Sequence, residues 1–204
     1  MISRNLNYKF LLLIKILLIY LFFFTKPFAI EKSELKNITE GSENAKIEIL
    51  VYESLTCPHC AKFHKEIYPD LKKDFIDKGL VKIEFKSFPL DLAALNASKI
   101  AHCKNDGKPD ILHFLYNKQD IWTKGNTIEE INLNLKEVIN EGNFGINIKK
   151  CINNKKIEDG IIEQRIESVK KFEINSTPTL IINNKKFDKP LNYKNLKKTI
   201  EKLI

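Results

Sequence analysis

Apolar positions follow a strand, helix, strand order through residues 47–88. Residues 47–55 and 81–88 are β-branched and apolar enough for buried strands. Between them, apolar residues recur at spacings of three and four, which predicts one packed helical face. These residues are Cys60, Phe63, Ile67, Leu71 and Phe75. A strand, a helix and a strand in this order predict a βαβ unit with a parallel strand pair, and hence an α/β fold.

Four residues define the predicted helix. Cys57 lies at its N-cap and Pro58 at its first position, where the missing proline N–H costs nothing. Pro69 lies inside the apolar run, so we expect a kink there. Gly79 is the predicted end of the helix.

Helical spacing then dominates from residue 90 to residue 172. Four groups of apolar residues keep this spacing, and glycines separate them. Each group predicts the packed face of one helix. The groups are Leu92, Leu95, Ile100 and Ala101, then Ile111, Leu112 and Leu115, then Ile128, Ile131, Leu135 and Val138, and last Ile162, Ile166 and Val169.

Strand signals return in the C-terminal segment. Residues Thr179–Ile182 predict a strand, Asn183 and Asn184 a two-residue turn, and Lys185–Asp188 the returning strand. Residues 31–46 are polar, and we expect them to wrap the edge of the domain. A closing amphipathic helix is predicted from the spacing of Tyr193, Leu196, Ile200 and Leu203.

The N-terminus predicts export. An apolar stretch at residues 10–24 follows a basic start and is shorter than the roughly 20 residues that a spanning helix needs. The predicted signal peptide is 1–29, with Ala29 as the last residue removed, although only one of the two key cleavage positions is small. An uncleaved anchor through residues 10–24 stays open as the alternative. In both cases the rest of the chain is exported and its cysteines can be oxidised.

The amino-acid composition limits the kinds of protein that this chain can be. The chain has 204 residues, 43% hydrophobic and 29% charged, which predicts one globular domain with room for an insertion. It excludes a collagen, a disordered tail and a polytopic membrane protein. The net charge of +8 rests on lysine, because Arg4 and Arg165 are the only arginines. Arginine is the preferred residue for bidentate contacts to bases and phosphates, so nucleic acid is not the predicted partner.

The central motif is Cys57-Pro58-His59-Cys60, directly after a strand and opening a helix. A C-x-x-C in a βαβ unit is the thioredoxin-like redox signature. Disulfide exchange needs a thiolate, and a helix N-terminus offers free N–H groups and positive potential. We therefore expect Cys57 to be the nucleophile and Cys60, on the core side, to resolve the mixed disulfide. His59 adds a positive charge or a hydrogen-bond donor beside the Cys57 sulfur.

Two other roles for the motif fit the sequence less well than redox chemistry does. A zinc site could use His59 or His64 with the two cysteines, but the sequence offers no second C-x-x-C or H-x-x-x-H pair to complete four ligands. A purely structural disulfide is rare between residues three apart at a helix start. We predict no metal and no cofactor other than a redox-active Cys57–Cys60 disulfide.

The sequence resembles the DsbA-like branch of the thioredoxin superfamily, in its alphaproteobacterial form. The resemblance rests on the CPHC tetrapeptide, on ESLTCPHCAKFH, on FPLDLAALNASKIAHC and on the Ser-Thr-Pro-Thr of residues 176–179. It implies a thioredoxin fold with an inserted helical domain. The implied parts are 30–89 and 173–204 for the thioredoxin fold and 90–172 for the insertion.

The resemblance also implies an activity and its residues. The chain is expected to be a periplasmic thiol:disulfide oxidoreductase that donates the Cys57–Cys60 disulfide to unfolded, cysteine-containing exported proteins. A quinone-linked membrane protein like DsbB is the expected reoxidising partner. Pro178 is the implied cis-proline, and Thr177 the implied contact to the substrate backbone. A reductase or isomerase on the same fold stays open, as does a non-catalytic peptide-binding or metal-delivery module.

Two residues depart from the family pattern. Strong oxidases carry valine where this chain has Thr177, which is the residue type of isomerases and some DsbA-like proteins. Val51 occupies the position, six before Cys57, where many relatives keep a buried acid that assists proton transfer. Glu53 lies nearby with the same strand parity.

The remaining cysteines and several other side chains have simpler interpretations. We predict a Cys103–Cys151 disulfide, because exported proteins rarely keep two free thiols; two buried unpaired thiols are the alternative. His64 is interpreted as a solvated or packed histidine. We expect His102 and His113 to have no link to the motif, and Trp122 with Ile121 to pack in the core or between domains.

Overall fold

The structure is a computed structural model that describes residues 14–15 and 35–204. Ile14 and Lys15 are helical. The rest of the predicted signal peptide 1–29 and of the alternative anchor 10–24 lies outside the described residues. Within the described part, every helix is too short or too polar to cross a membrane.

A five-stranded mixed sheet forms the centre of the unit Ser33–Ile204. The two central strands, β2 (Ile47–Glu53) and β3 (Val81–Ser87), run parallel, with Ile49 opposite Ile83, as the predicted βαβ unit requires. Antiparallel strands flank this pair on both sides, and the order is β1-β3-β2-β4-β5. The other strands are β1 (Ile38–Glu40), β4 (Thr179–Ile182) and β5 (Lys185–Lys186).

Successive side chains of strand β2 point to opposite faces of the sheet. Ile47, Ile49 and Val51 lie in the main core, whereas Leu50 and Tyr52 lie in a smaller cluster on the other face of the sheet. Glu53 continues the first parity and is the last residue of the strand. The strand therefore ends two residues earlier than the predicted 47–55.

Residues 31–46 contain a strand, β1, at the edge of the sheet, which the sequence pattern did not predict. Residues Ile38–Glu40 pair antiparallel with β3, with Ile38 opposite Phe85. Ile38 is almost fully buried, while Thr39 and Glu40 are half-buried. A three-residue strand with one apolar residue is too short to give a visible alternation, so the sequence pattern hid it.

Helix α1 spans residues 58–76 and changes its hydrogen-bonding pattern along its length. The α-helical segments Pro58–Lys62 and Tyr68–Leu71 alternate with the π-helical segments Phe63–Ile67 and Lys72–Ile76. The first π-helical segment directly precedes the turn that contains Pro69, and both features accompany kinks in helices. The chain leaves the helix through a turn ending at Gly79, whose φ of +71° favours glycine.

Six helices lie between β3 and β4. They are α2 (Leu92–Ala101), α3 (Asp110–Asn117), α4 (Gln119–Trp122), α5 (Ile128–Glu141), α6 (Ile148–Ile152) and α7 (Lys155–Phe172). Side chains cap four of them, for example Asp91, whose Oδ1 accepts from the Ala94 N–H at 2.7 Å. The short helices α4 and α6 carry too few residues to show helical periodicity, and the sequence pattern did not predict them.

Helix α7 packs through a different face from the one predicted. Ile162, Ile166 and Val169 are 38%, 48% and 47% exposed. The buried residues are instead Ile157, Gly160, Ile161 and Ser168. Both faces of this helix carry apolar residues, so spacing alone does not decide which one is packed.

The C-terminal elements follow the predicted order with shorter limits. Strand β4 is Thr179–Ile182 as predicted, and Asn183 and Asn184 form the turn with positive φ. Strand β5 stops at Lys186. The closing helix α8, Tyr193–Glu201, buries Leu196 and Ile200, but Leu203 lies beyond its end and is exposed.

The structure joins Cys103 and Cys151 in a disulfide with a Cα–Cα distance of 5.3 Å. The bond links the C-terminal end of α2 to α6 and closes a separation of 48 residues. In the chain-entropy model, a loop of this length stabilises the folded state by about 4 kcal/mol. This is an upper value for a denatured state that retains structure.

Replacing both Cys103 and Cys151 with alanine should therefore lower the free energy of unfolding by up to about 4 kcal/mol. Urea unfolding, with the redox state of Cys57 and Cys60 held fixed, measures this change in the free energy of unfolding. The matched control is wild type with the Cys103–Cys151 disulfide selectively reduced, which should shift in the same direction. An unchanged midpoint in both would show that the bond adds no stability.

Candidate active site

Cys57 lies in the turn between β2 and α1. Its N–H donates to the Ser54 carbonyl at 2.9 Å, and its own carbonyl accepts from the N–H groups of Cys60 and Ala61. The residue has extended backbone angles, φ −77° and ψ 119°, as an N-cap residue does. Pro58 at the first helical position removes one N–H that would have had no partner. The sequence thus places the sulfur at the N-terminal end of a helix.

Electrostatics at this position favour the Cys57 thiolate. The Cys57 and Cys60 thiols are free in the structure, and the Cys60 thiol is the strongest influence, because it can donate a hydrogen bond to a Cys57 thiolate. Thr177 and the backbone N–H groups of Cys60 and His59 add to this effect. Together they lower the pKa of Cys57 to about 5. Cys57 is therefore a thiolate at neutral pH.

Cys60 has the opposite properties. It is fully buried, and burial raises its pKa far above that of a free thiol, with the hydrogen bond to Cys57 adding to the increase. One sulfur is thus ionised and the other protonated at neutral pH. This asymmetry is what a nucleophile and a resolving thiol require.

The loop before β4 lies opposite Cys57. The Thr177–Pro178 peptide bond is cis, and Cys57 Sγ lies 3.4 Å from the Thr177 carbonyl oxygen. A groove of about 450 Å³ runs from this loop along α1, and His59, Phe63 and Pro178 are among its lining residues. The exposed His59 and Pro58 form the outer surface of the motif. Of the six motif and loop residues predicted from the sequence, His59, Thr177 and Pro178 line this groove, and Cys57 contacts Thr177.

The helical block holds the active-site turn through a residue that the sequence analysis missed. Gln119 at the start of α4 is buried, and its Nε2 donates to the carbonyls of Leu55 at 2.7 Å and Cys57 at 3.0 Å. Thr56 Oγ1 donates to Asp91 Oδ2 at 2.7 Å. Trp122, on the same helix as Gln119, is fully buried as predicted. Ile121 is exposed and does not share its packing.

Glu53, the last residue of β2, makes a second contact that the sequence did not predict. It is 2% exposed, and its Oε2 lies 2.7 Å from His64 Nε2. His64 Nδ1 in turn lies 3.0 Å from His113 Nδ1. His64 is packed in the core, one of the two expected alternatives, and it also contacts the buried acid. The expectation for His113 was wrong, because His113 is linked to Glu53 through His64. Among the described residues, no group of three or more His, Cys, Asp or Glu side chains is arranged to hold a metal ion.

Comparison with known proteins gives the family. A family model described as thioredoxin matches residues 33–202. The crystal structure of Wolbachia pipientis alpha-DsbA1 superposes with a TM-score of 0.73 at 28% identity, covering 82% of this chain and 90% of that one. This protein is a DsbA-like member of the thioredoxin family. The predicted fold class, a thioredoxin fold with an inserted helical block, is confirmed.

Curated relatives agree with this family. A Rickettsia bellii protein named "Putative protein-disulfide oxidoreductase" is 29% identical over 154 residues, which are 74% of this chain and 59% of that protein. Disulfide bond formation protein D of Bacillus subtilis is 27% identical over 179 residues, 79% of this chain and 74% of that protein. The chain spans about half to three-fifths of the length of the Rickettsia relatives.

Within the DsbA-like family, the structure explains one departure seen in the sequence. Val51, at the position where many relatives keep an acid, is fully buried in the main core. Glu53, two residues later on the same face of β2, brings a carboxyl group into the same region, and its charge influences Cys60. A buried carboxyl group thus lies on the same face of β2 as Val51, two residues along the strand.

Proposed function

We propose that this chain is an exported thiol:disulfide oxidoreductase that donates the Cys57–Cys60 disulfide to folding proteins. The observation that carries the proposal is the asymmetry of the two sulfurs: Cys57 has a lowered pKa and lies at the helix N-terminus against the cis-Pro178 loop, whereas Cys60 is fully buried and has a raised pKa. The names of the Rickettsia and Bacillus relatives support the same reaction class.

The reaction passes two electrons from the substrate to the protein. A substrate thiolate attacks Cys57 of the oxidised protein, a mixed disulfide forms, the Cys57–Cys60 bond breaks, and Cys60 leaves as a thiolate that takes up a proton. A second substrate thiolate then attacks the substrate sulfur of the mixed disulfide. The substrate disulfide forms, and Cys57 leaves as the stabilised thiolate. No cofactor beyond the two cysteines takes part.

The direction of transfer follows from the stability of the product. Contacts that stabilise the Cys57 thiolate stabilise the reduced protein and not the disulfide, so they make the disulfide a stronger oxidant. Glu53 supplies the proton for Cys60, because burial raises the pKa of its carboxyl group well above the usual range. These features favour a donor of disulfides.

The groove beside Cys57 fits an extended peptide. The cis-Pro178 loop presents backbone groups next to the sulfur, which suits strand-like pairing with substrate. The substrates we propose are unfolded, cysteine-containing proteins in the periplasm. A quinone-linked membrane protein like DsbB is the proposed reoxidising partner, and we propose no role for nucleic acid.

Thr177 favours one alternative, a reductase or isomerase on the same fold. Its hydroxyl oxygen is buried without a hydrogen-bond partner in this structure, close to Cys57. This side chain replaces the valine of strong oxidases. A polar group at this position changes the relative stability of the Cys57 thiolate and the Cys57–Cys60 disulfide. The two alternatives therefore share the same active site and differ in its reduction potential.

Equilibration of the Cys57–Cys60 pair with glutathione tests the proposal, with the Cys103–Cys151 disulfide left intact. We expect a potential more oxidising than about −200 mV. A value nearer about −270 mV, typical of thioredoxin, would make the protein a reductant. A Cys57→Ser variant, which cannot form the disulfide, is the control for exchange at the second pair.

A further inference from the structure

A continuous chain of polar side chains leads from the buried site towards the surface. Glu53 on β2 contacts His64 on α1 at 2.7 Å, and His64 contacts His113 on α3 at 3.0 Å. Each contact joins a different pair of elements. The two contacts use opposite nitrogens of the His64 ring, Nε2 towards Glu53 and Nδ1 towards His113, so the imidazole bridges its two partners.

The surroundings of His64 keep this chain uncharged. The ring is stacked on Tyr116 with the ring centroids 4.0 Å apart, and it also contacts Phe63 and Phe85. Burial lowers the pKa of His64 to about 3 and raises that of Glu53. A neutral Glu53 can carry its proton on either oxygen. With the proton on Oε1, Glu53 Oε2 accepts from His64 Nε2–H, and His64 Nδ1 accepts from His113 Nδ1–H. With the proton on Oε2, the same two hydrogen bonds persist with their donors reversed.

The outer end of the chain reaches charged and partly exposed groups. His113 Nε2 lies 3.8 Å from Glu40 Oε2, and both side chains are 23% exposed. Tyr68 and Lys72 also donate to Glu40, and Lys72 contacts Asp77. Contact with His113 is the main cause that lowers the pKa of Glu40 to about 2, so Glu40 is an anion at neutral pH.

A cavity of about 330 Å³ adjoins both histidines. His64, Lys65, Tyr68, Pro69, His113 and Asn117 line it. This cavity shares no lining residue with the groove beside the cis-Pro178 loop. His113 Nε2 is itself buried and has no hydrogen-bond partner in this structure, so a proton from solvent would reach it by way of this cavity and not through the substrate groove.

Two buried polar atoms lie at the inner end of the chain, where the charge of Glu53 influences Cys60. Glu53 Oε1 and the Tyr116 hydroxyl are buried and have no hydrogen-bond partner in this structure. Tyr116 interacts electrostatically with both Glu53 and Cys60. Cys60 is fully buried, so a proton for its thiolate has to come through the protein.

We propose that His64 and His113 relay protons between solvent and Glu53 each time Cys60 gains or loses its proton. The relay rests on the proposed function, because only disulfide exchange makes Cys60 change its protonation. After Glu53 has given the proton on Oε1 to Cys60, three shifts make its carboxyl group neutral again, with the new proton on Oε2. One solvent proton joins His113 Nε2, the proton on His113 Nδ1 moves to His64 Nδ1, and the proton on His64 Nε2 moves to Glu53.

Replacement of His113 with alanine tests the relay. The readout is the rate at which the oxidised protein oxidises a reduced two-cysteine peptide at pH 7, followed by acid quenching and mass spectrometry. Proton transfer by a placed side chain contributes roughly 10²–10⁴-fold, and we expect the loss of one relay residue to slow exchange by about 10-fold. The equilibrium constant with glutathione should change by less than about twofold, since His113 contacts neither sulfur.

Added imidazole separates proton delivery from a structural role. The gap left by His113→Ala opens to the adjoining cavity, so imidazole should restore most of the rate. Pyrazole, which has the same size and is a much weaker base, should not. His102→Ala is the matched control: His102 is another buried histidine, 3.3 Å from Ser87 Oγ and outside the chain, and its replacement should leave the rate unchanged and insensitive to imidazole.

A wild-type rate in His113→Ala, or a slow rate that imidazole does not restore, would overturn the relay while leaving the oxidoreductase proposal intact. Wild-type protein that fails to oxidise the peptide would overturn the proposed function and the relay with it. If His113→Ala does not fold, His113→Gln gives the same comparison, because glutamine keeps a polar contact to His64 but does not exchange protons as imidazole does.

Discussion

The reduced protein should be more stable than the oxidised protein at pH 7, and this difference should fall as the pH is lowered towards 5. The folded protein lowers the pKa of Cys57 to about 5, whereas an unfolded cysteine has a pKa of about 8.5. The thiolate therefore stabilises the folded, reduced form, and the oxidised form has no thiolate to benefit. At pH 7 the difference between these two pKa values corresponds to at most about 3 kcal/mol of added stability, and solvent screening lowers this contribution to about 1–2 kcal/mol.

The direction of the pH dependence follows from a pKa that is lower in the folded state. Such a group contributes its full stability above the unfolded pKa, near pH 8.5. The contribution declines below that pH and is lost as the pH falls through the folded value of about 5. Glu53 and His64 are present in both redox forms, so their titration largely cancels when the two forms are compared.

Urea unfolding of both redox forms between pH 5 and pH 9 measures the effect. Two variants serve as a matched pair, since neither forms the Cys57–Cys60 disulfide. Cys60→Ala keeps the Cys57 sulfur but loses the Cys60 donor, so it should retain part of the pH dependence; Cys57→Ser should lose it. A difference between wild-type forms that stays constant with pH would contradict a thiolate at Cys57.

Local sequence signals predicted the motif and the central elements. The βαβ unit follows from two apolar strands around a helical repeat, and Cys57 and Pro58 mark the helix start through N-terminal preferences that act within a few residues. The Thr177-Pro178 pair gained a role only from the family resemblance, because most X-Pro bonds are trans. The structure gives this bond as cis.

The supporting contacts of the site were not predictable in the same way. Gln119 reaches the active-site turn across 62 positions of sequence, and His113 reaches His64 across 49. No spacing rule connects residues so far apart. One signal was present: Glu53 has the strand parity of the buried Ile49 and Val51, so a carboxyl group was expected on a packed face. A buried acid needs a partner, but the sequence alone does not decide which of the histidines on the following helix provides it.

Replacing Cys60 with alanine should trap substrates as mixed disulfides on Cys57. The Cys57 thiolate still exchanges with substrate disulfides in this variant, but the intramolecular attack that releases the substrate is lost. Among the described residues, Cys103 and Cys151 are bonded to each other, so no other free thiol of the folded unit replaces Cys60. We expect adducts to accumulate in cells that express Cys60→Ala, detected by non-reducing electrophoresis and mass spectrometry.

The distribution of these adducts decides between direct exchange and mere binding. Cys57→Ser with intact Cys60 is the control and should form few adducts, because Cys60 is buried and protonated and has no access to the groove. Adducts that resist boiling in detergent but disappear with dithiothreitol identify a covalent bond to sulfur. If Cys60→Ala forms no more adducts than Cys57→Ser, a non-catalytic peptide-binding module replaces the enzyme, since the groove would then hold peptides without exchanging their disulfides. Adducts confined to one or two proteins would still support exchange, because the lowered Cys57 pKa governs reactivity while the groove selects which chains reach it.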